Sequence, residues 1–264
     1  MALSATATVK PGLPPQVEVY LQGAELSGGL TTLYRVTPDG AQVVVRGVKN
    51  YPTSGPLYVV DFEAPFDVDV RYQVVSVKAN VTTTSPLSNV VRLYQDMAYL
   101  SDPLTPGSGV RVYVADGSWV EQERQVTQDV FMPLGRRWPV AVSGVRKAPS
   151  YSIGLTHPGD TETATIRRLL ETANPALLRM SDARYGGWTG GYIATGAWKE
   201  KRWANSFAKR TRVFELPVVE VQSPSASAVI SLWNWADVKS LYSTWGAVRA
   251  GKPNWAELLR NPTP

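Results

Sequence analysis

Short runs of alternating or β-branched residues, separated by turn chemistry, dominate the first third of the chain. They are Gln16-Val17-Glu18-Val19-Tyr20, Thr32-Leu33-Tyr34-Arg35-Val36, Gln42-Val43-Val44-Val45-Arg46, Leu57-Tyr58-Val59-Val60-Asp61, Val68 to Val75, and Val90-Val91-Arg92-Leu93. Pro38-Asp39-Gly40 and Pro52-Thr53-Ser54-Gly55-Pro56 lie between them. Side chains on a strand point alternately to its two faces, so each run presents one apolar face. Strands of this length and spacing over residues 13–95 predict a β-sandwich of the fibronectin III or immunoglobulin size. Residues 1–12 are small and polar and end in Lys10-Pro11-Gly12, which predicts a flexible N-terminal arm.

Residues 96–224 continue the strand pattern, with runs at 110–114, 138–145, 151–155, 176–180, 192–195 and 213–221. Pro217 in the last run predicts an edge strand or a bulge, because proline cannot donate to a ladder. One segment changes period. Ile166, Leu169, Leu170 and Ala173 fall at helical spacing, Asp160 or Thr161 can cap them, and Asn174-Pro175 stops the run. A helix over 161–174 among strands predicts a barrel with one end plugged, or a sheet with one face covered.

The last forty residues, 225–264, carry a repeat. Trp235, Trp245 and Trp255 stand ten residues apart, each followed three positions later by Val238, Val248 or Leu258. At 100° per residue, successive tryptophans fall about 80° out of register, so one straight helix cannot align them. Short helices fit instead, with Asn234, Thr244 and Asn254 as N-caps and Gly251-Lys252-Pro253 ending the second. Helices this short gain their stability by docking. The six repeat residues are therefore docking candidates, either onto the chain's own barrel or onto a neighbouring subunit.

Composition sharpens this mainly-β picture. The apolar fraction is 44%, with nine Trp and twelve Tyr, which supports folded cores. No apolar run has the length of a membrane span, and the N-terminus lacks the basic start and apolar block of a secretory signal. There is no cysteine, so neither disulfides nor thiolate metal sites form. The net charge of +5 describes an ordinary solvated surface.

Candidate chemistry is sparse. The one histidine, His157, sits in a Thr-His-Pro-Gly turn and reads as a turn residue. With no second histidine or cysteine it predicts no metal site. Ser143-Gly144 follows Ala141 rather than a glycine, so no nucleophile elbow forms. Gly246 to Lys252 matches seven positions of a phosphate loop, but Pro253 replaces the magnesium-binding hydroxyl. Glu121, Glu123 and Asp129 are scattered in polar text, with no sign of a glycosidase pair. Neither a catalytic role nor a cofactor is expected. Lys199, Lys201, Arg202, Lys209, Arg210 and Arg212 interleave with Trp198, Trp203 and Phe207. That strip reads as a solvated hairpin, or as a surface facing a polyanion or a DNA-filled channel without sequence-specific contacts. Trp188, Trp198 and Trp203 beside a glycine-rich loop are core aromatics or a sugar-stacking platform.

Three pieces together resemble minor tail proteins of long-tailed bacteriophages infecting actinobacteria. They are Asp61 to Tyr72 in the first module, Pro139 to Arg146 through Asn174-Pro175-Ala176-Leu177-Leu178-Arg179 to Arg212 through Pro224, and the Trp-Ala-Asp-Val and Trp-Ala-Glu-Leu tail. The middle region, 96–224, is similar to the ring-forming core of distal tail proteins, a split β-barrel with one helix. The resemblance implies a structural virion protein of the tail tip or baseplate. It implies a homo-oligomeric ring or collar that joins the tail tube to the host-recognition apparatus and contacts tube, hub and other minor tail proteins. The competing expectation is a carbohydrate-binding module or host-glycan adhesin.

Overall fold

The computed structural model describes residues 2–10, 12–115, 118, 120–126, 128–132, 134–135, 137–181, 188, 190–203, 211–225, 239, 242 and 244–251. It is mainly β, with several antiparallel sheets and a closed six-stranded barrel. In the first module, β1 (Ser4–Lys10), β2 (Gln16–Gln22) and β6 (Leu57–Asp61) form one sheet in the order β1-β2-β6. β3 (Gly29–Val36), β4 (Gln42–Val44), β7 (Asp69–Lys78) and β8 (Val81–Thr84) form the second, in the order β4-β3-β7-β8. β5 (Tyr51–Thr53) adds to β3, and β9 (Val91–Arg92) adds to β7. Val17, Val19 and Leu21 from the first sheet meet Leu33, Tyr72 and Val74 from the second in one buried cluster.

The expected flexible arm is a strand. Residues 4–10 pair with 16–22 over seven residue pairs, and Leu3, Ala5 and Ala7 join the core. The Asn89 side chain closes both backbone groups of Ala7, accepting from its N–H at 2.9 Å and donating to its carbonyl at 2.8 Å. Alanine is too small to reveal an apolar face in the sequence, yet it fills the thin edge of this core. β8 follows a two-residue turn in which Ala79 and Asn80 hold φ of 49° and 62°, the left-handed pair that tight hairpins need.

The second module is a ring of β14 (Ser150–His157), β11 (Val110–Val114), β10 (Ala98–Ser101), β15 (Ala176–Arg179), β16 (Gly190–Thr195) and β18 (Arg212–Glu220), in that order. Eight residue pairs, from Ser150↔Val219 to His157↔Arg212, close it. A split barrel was expected; the long β14–β18 ladder makes it a closed one. Ile153, Leu155, Phe214, Leu216 and Val218 point inward and are buried. α1 (Asp160–Thr172) buries Thr163, Ile166, Leu169 and Leu170 against this interior. It starts and ends slightly earlier than predicted. Gly159 takes the cap position without a side-chain bond, and Asp160 and Glu162 sit in the first turn instead, where the helix dipole favours acids.

Pro217 does not mark an edge strand. β18 has β14 along one side, while its other side carries β17 (Lys199–Arg202) on its first half and β16 on its second. The β17 pairing ends at Glu215 and the β16 pairing begins at Val218, so Pro217 faces the break between them. Its carbonyl accepts from Gly196 on that side, at 3.2 Å. The missing N–H points to the same side, where no ladder partner is required.

Between β11 and β14 the chain leaves the barrel as a hairpin, β12 (Gln128–Phe131) paired with β13 (Val140–Ser143). Near the C-terminus, α2 (Trp245–Gly251) is a short helix. Thr244 caps it as expected, accepting from the Ala247 N–H at 3.2 Å. No described helix is long and apolar enough to cross a membrane.

Candidate functional site

The two modules meet through buried charge. Arg179, at the end of β15, is 3% exposed. Its guanidinium donates to the carbonyls of Ala64 and Pro15, both at 2.9 Å, and both belong to the first module. The group lies 4.6 Å from the Phe66 ring centroid and 5.5 Å from that of Tyr99. Burial draws its pKa down to about 10, partly opposed by Asp61, so it stays charged at neutral pH. Phe66 also bridges Ser181 and Leu93 through its backbone.

A second node lies beside it. Arg46 is buried and donates to Glu63, and Tyr192 of the barrel donates to the other Glu63 oxygen at 2.5 Å. Arg46 also donates to the carbonyls of Pro224 and Ser225, at 3.1 and 2.7 Å. It thereby fixes the chain as it leaves the barrel. Burial and Glu63 push the Tyr192 hydroxyl well up from its ordinary value.

Beneath these nodes, Arg35 donates to both oxygens of Asp61, at 3.0 and 2.7 Å. The Tyr72 hydroxyl donates to the same carboxylate at 2.9 Å, and the Glu63 N–H at 2.8 Å. Burial works against the Arg35 charge, but Asp61 overcomes it and holds the group above its usual range. A buried pair of this kind fixes a geometry rather than adding much net stability. The two modules and the exit strand are thus tied at one polar seam.

Two cations of the expected strip, Lys201 and Arg212, are in ion pairs. Lys201 bonds Glu215, and Arg212 lies 3.5 Å from Glu200, which also takes a forked contact from Arg167. Lys199 stands directly opposite Glu215, and Arg202 opposite Arg212. This is a strand surface of mixed sign, with Lys201, Arg202 and Trp203 lining a groove of about 320 Å³. Lys209 and Arg210 lie outside the described residues.

Of the two expectations for these tryptophans, the core reading describes Trp188. Trp188 is 7% exposed and meets Tyr151 edge-on at 5.0 Å. Trp198 packs against Phe214 at 5.7 Å, and only Trp203 is exposed. The barrel needed the large rings to fill its interior, and core burial won. His157 closes its turn, its Nδ1 accepting from Gly159 at 3.0 Å. Among the described residues no group of His, Asp and Glu is arranged to hold a metal ion.

Of the repeat residues, Trp245 is 62% exposed at the start of α2, while Val248 is buried against Tyr242. Trp235, Val238, Trp255 and Leu258 lie outside the described residues. The larger apolar surface is one that sequence reading did not single out. Val130, Phe131, Met132, Leu134, Trp138 and Val142 are all exposed on the β12–β13 arm. The signal was present as Val-Phe-Met-Pro-Leu followed by Trp138, a run too apolar for a solvated loop.

No protein-family model matches the chain, and neither does any curated protein.

Proposed function

We propose that the protein is a structural component of a bacteriophage tail tip, where copies assemble into a ring or collar between tail tube and host-recognition apparatus. The observation that carries this reading is the pairing of a rigid two-module body with an outstretched apolar arm. Arg179 and Arg46 lock the modules, so a force or contact on one is passed to the other. The arm offers what an isolated enzyme domain has no use for, a concentrated apolar surface aimed away from its own core.

The finer fold reading supports it. The strand orders β1-β2-β6 and β4-β3-β7-β8 are those of a fibronectin III-like sandwich. The barrel with one helix beside it supports the resemblance to a distal-tail core, from which it departs in being closed rather than split. On this reading the partners are further copies of the chain and other tail proteins, and the place of action is the virion. The glycan-adhesin alternative has lost Trp188 to the barrel core, and Trp198 is partly buried against it.

Electron microscopy of the purified protein at high concentration tests the proposal. Closed rings of uniform diameter are expected. Single two-module particles throughout would contradict it.

A further inference from the structure

The arm has a length and a root that together specify a partner. Its base is stitched to the barrel where Glu123 and Ser150 exchange N–H···O bonds at 2.9 and 2.8 Å, and the Lys147 N–H donates to Gln125 at 2.8 Å. The ladder then runs from Gln128↔Ser143 to Phe131↔Val140. Eight residue steps from Glu123 to Phe131, at about 3.3 Å each, give an extended reach of at most about 26 Å. Every residue of β12 is exposed, and so is most of β13. A two-stranded hairpin with no third layer is marginal in water. Its apolar tip is therefore built to be covered.

A groove of about 1010 Å³ lies at the root of the same arm. Val120, Tyr151, Pro217 and Val219 give it an apolar floor, and Glu121 and Glu123 line it with carboxylates. Tyr151 also carries a bond to Glu220 at 3.2 Å, a third acid beside it. The arm tip has the opposite character. Trp138 is 74% exposed and has Arg137 over its ring at 5.7 Å. Phe131, Met132 and Leu134 are 51%, 60% and 106% exposed. The ladder puts Phe131 and Val140 at the end of the hairpin away from Glu123 and Ser150.

We propose that the arm tip of one chain seats in the root groove of a second copy, with Trp138 as the anchor and Arg137 facing Glu121 and Glu123. This rests on the ring reading above and names its contact. An aromatic side chain brings about 150–250 Å² of surface, so Trp138 and Phe131 with their four aliphatic neighbours approach the about 800 Å² per partner of a stable interface. Tip and groove are different patches, so the contact is head-to-tail, and repeated copies close into a ring or extend into a fibre.

The absence of native cysteine allows a clean test. A Leu134→Cys variant is mixed with a Val219→Cys variant, bridged with a short bis-maleimide, and the products are separated by mass. Each chain then holds a single thiol, so every cross-link is between molecules. The mixed dimer is expected to dominate over either self-dimer. Trp138→Ser is expected to raise the concentration for half-assembly by at least about tenfold, as for loss of an aromatic anchor, with an unchanged thermal transition. If the wild type assembles but self-dimers match the mixed product, or Trp138→Ser assembles normally, the arm-to-root contact is wrong and the ring reading stands. If the wild type never assembles, both fall.

Discussion

The guanidinium of Arg179 in the barrel lies 4.6 Å from the ring of Phe66 in the first module, with its nitrogens on the carbonyls of Ala64 and Pro15. One side chain therefore spans the seam between two separate hydrophobic cores. The seam is polar, buried and hydrogen-bonded, so it defines one relative orientation of the modules rather than a range.

Arg179→Met should destabilise the chain by about 2–4 kcal/mol, because two buried carbonyls lose their donors. The loss should appear in the thermal midpoint. It should also appear as faster proteolysis within residues 94–98, the connection between modules. An unchanged midpoint with unchanged cleavage would show that the seam is held elsewhere.

Asp61→Ala should cost more than Tyr72→Phe. The first leaves Arg35 as a buried charge without its partner, at about 3–5 kcal/mol. The second removes one hydrogen bond, at about 1–2 kcal/mol. Denaturant unfolding of both variants gives the ranking, and the reverse order would contradict the Asp61-centred network.

Alkaline titration should be biphasic. Burial raises the hydroxyls of Tyr72, Tyr99, Tyr151 and Tyr192, that of Tyr99 up to about 12, with Asp61, Glu220 and Glu63 adding to the rise at Tyr72, Tyr151 and Tyr192. A raised folded pKa favours the protonated form in the folded state. That stabilisation is complete below the ordinary tyrosine value of about 10 and is lost as pH rises above it. Tyrosinate absorbance should first rise for the exposed tyrosines, then again together with unfolding. A single smooth rise near the ordinary value, with structure intact, would contradict the burial of these four.

Truncation after Ser225 should leave both modules folded, since among the described residues the last seam contacts are the Arg46 bonds to Pro224 and Ser225. Assembly should weaken if the tryptophan tail docks onto a neighbour. Loss of the main thermal transition would instead make the tail part of the chain's own core.

The strands with clear alternation and branched residues were legible. β2, β6, β7, β11 and β18 lie close to where the pattern put them, and so does α1. Others were not. β1 hides its apolar face behind Ala5 and Ala7, β10 is buried on both faces, β17 is Lys-Glu-Lys-Arg, and β5, β8 and β12 are only three or four residues long. None of these has a clear period to read, and pairing with other strands decides them. Arg46 and Arg179 look like any strand-end cations in sequence. Their burial depends on carbonyls 115 and more residues away, so no local pattern announces the seam. The arm was half legible. β13 stood out as a run, while the exposure of its tip follows only from the path the chain takes away from the barrel.

The proposed tail-tip role is tested most directly by cryo-electron microscopy of the particle proposed to carry this chain. The account predicts a closed ring of two-module bodies at the tail tip, each arm tip lying against the root of the next copy. Purified particles without this protein, or density that holds it as isolated single copies, would contradict it.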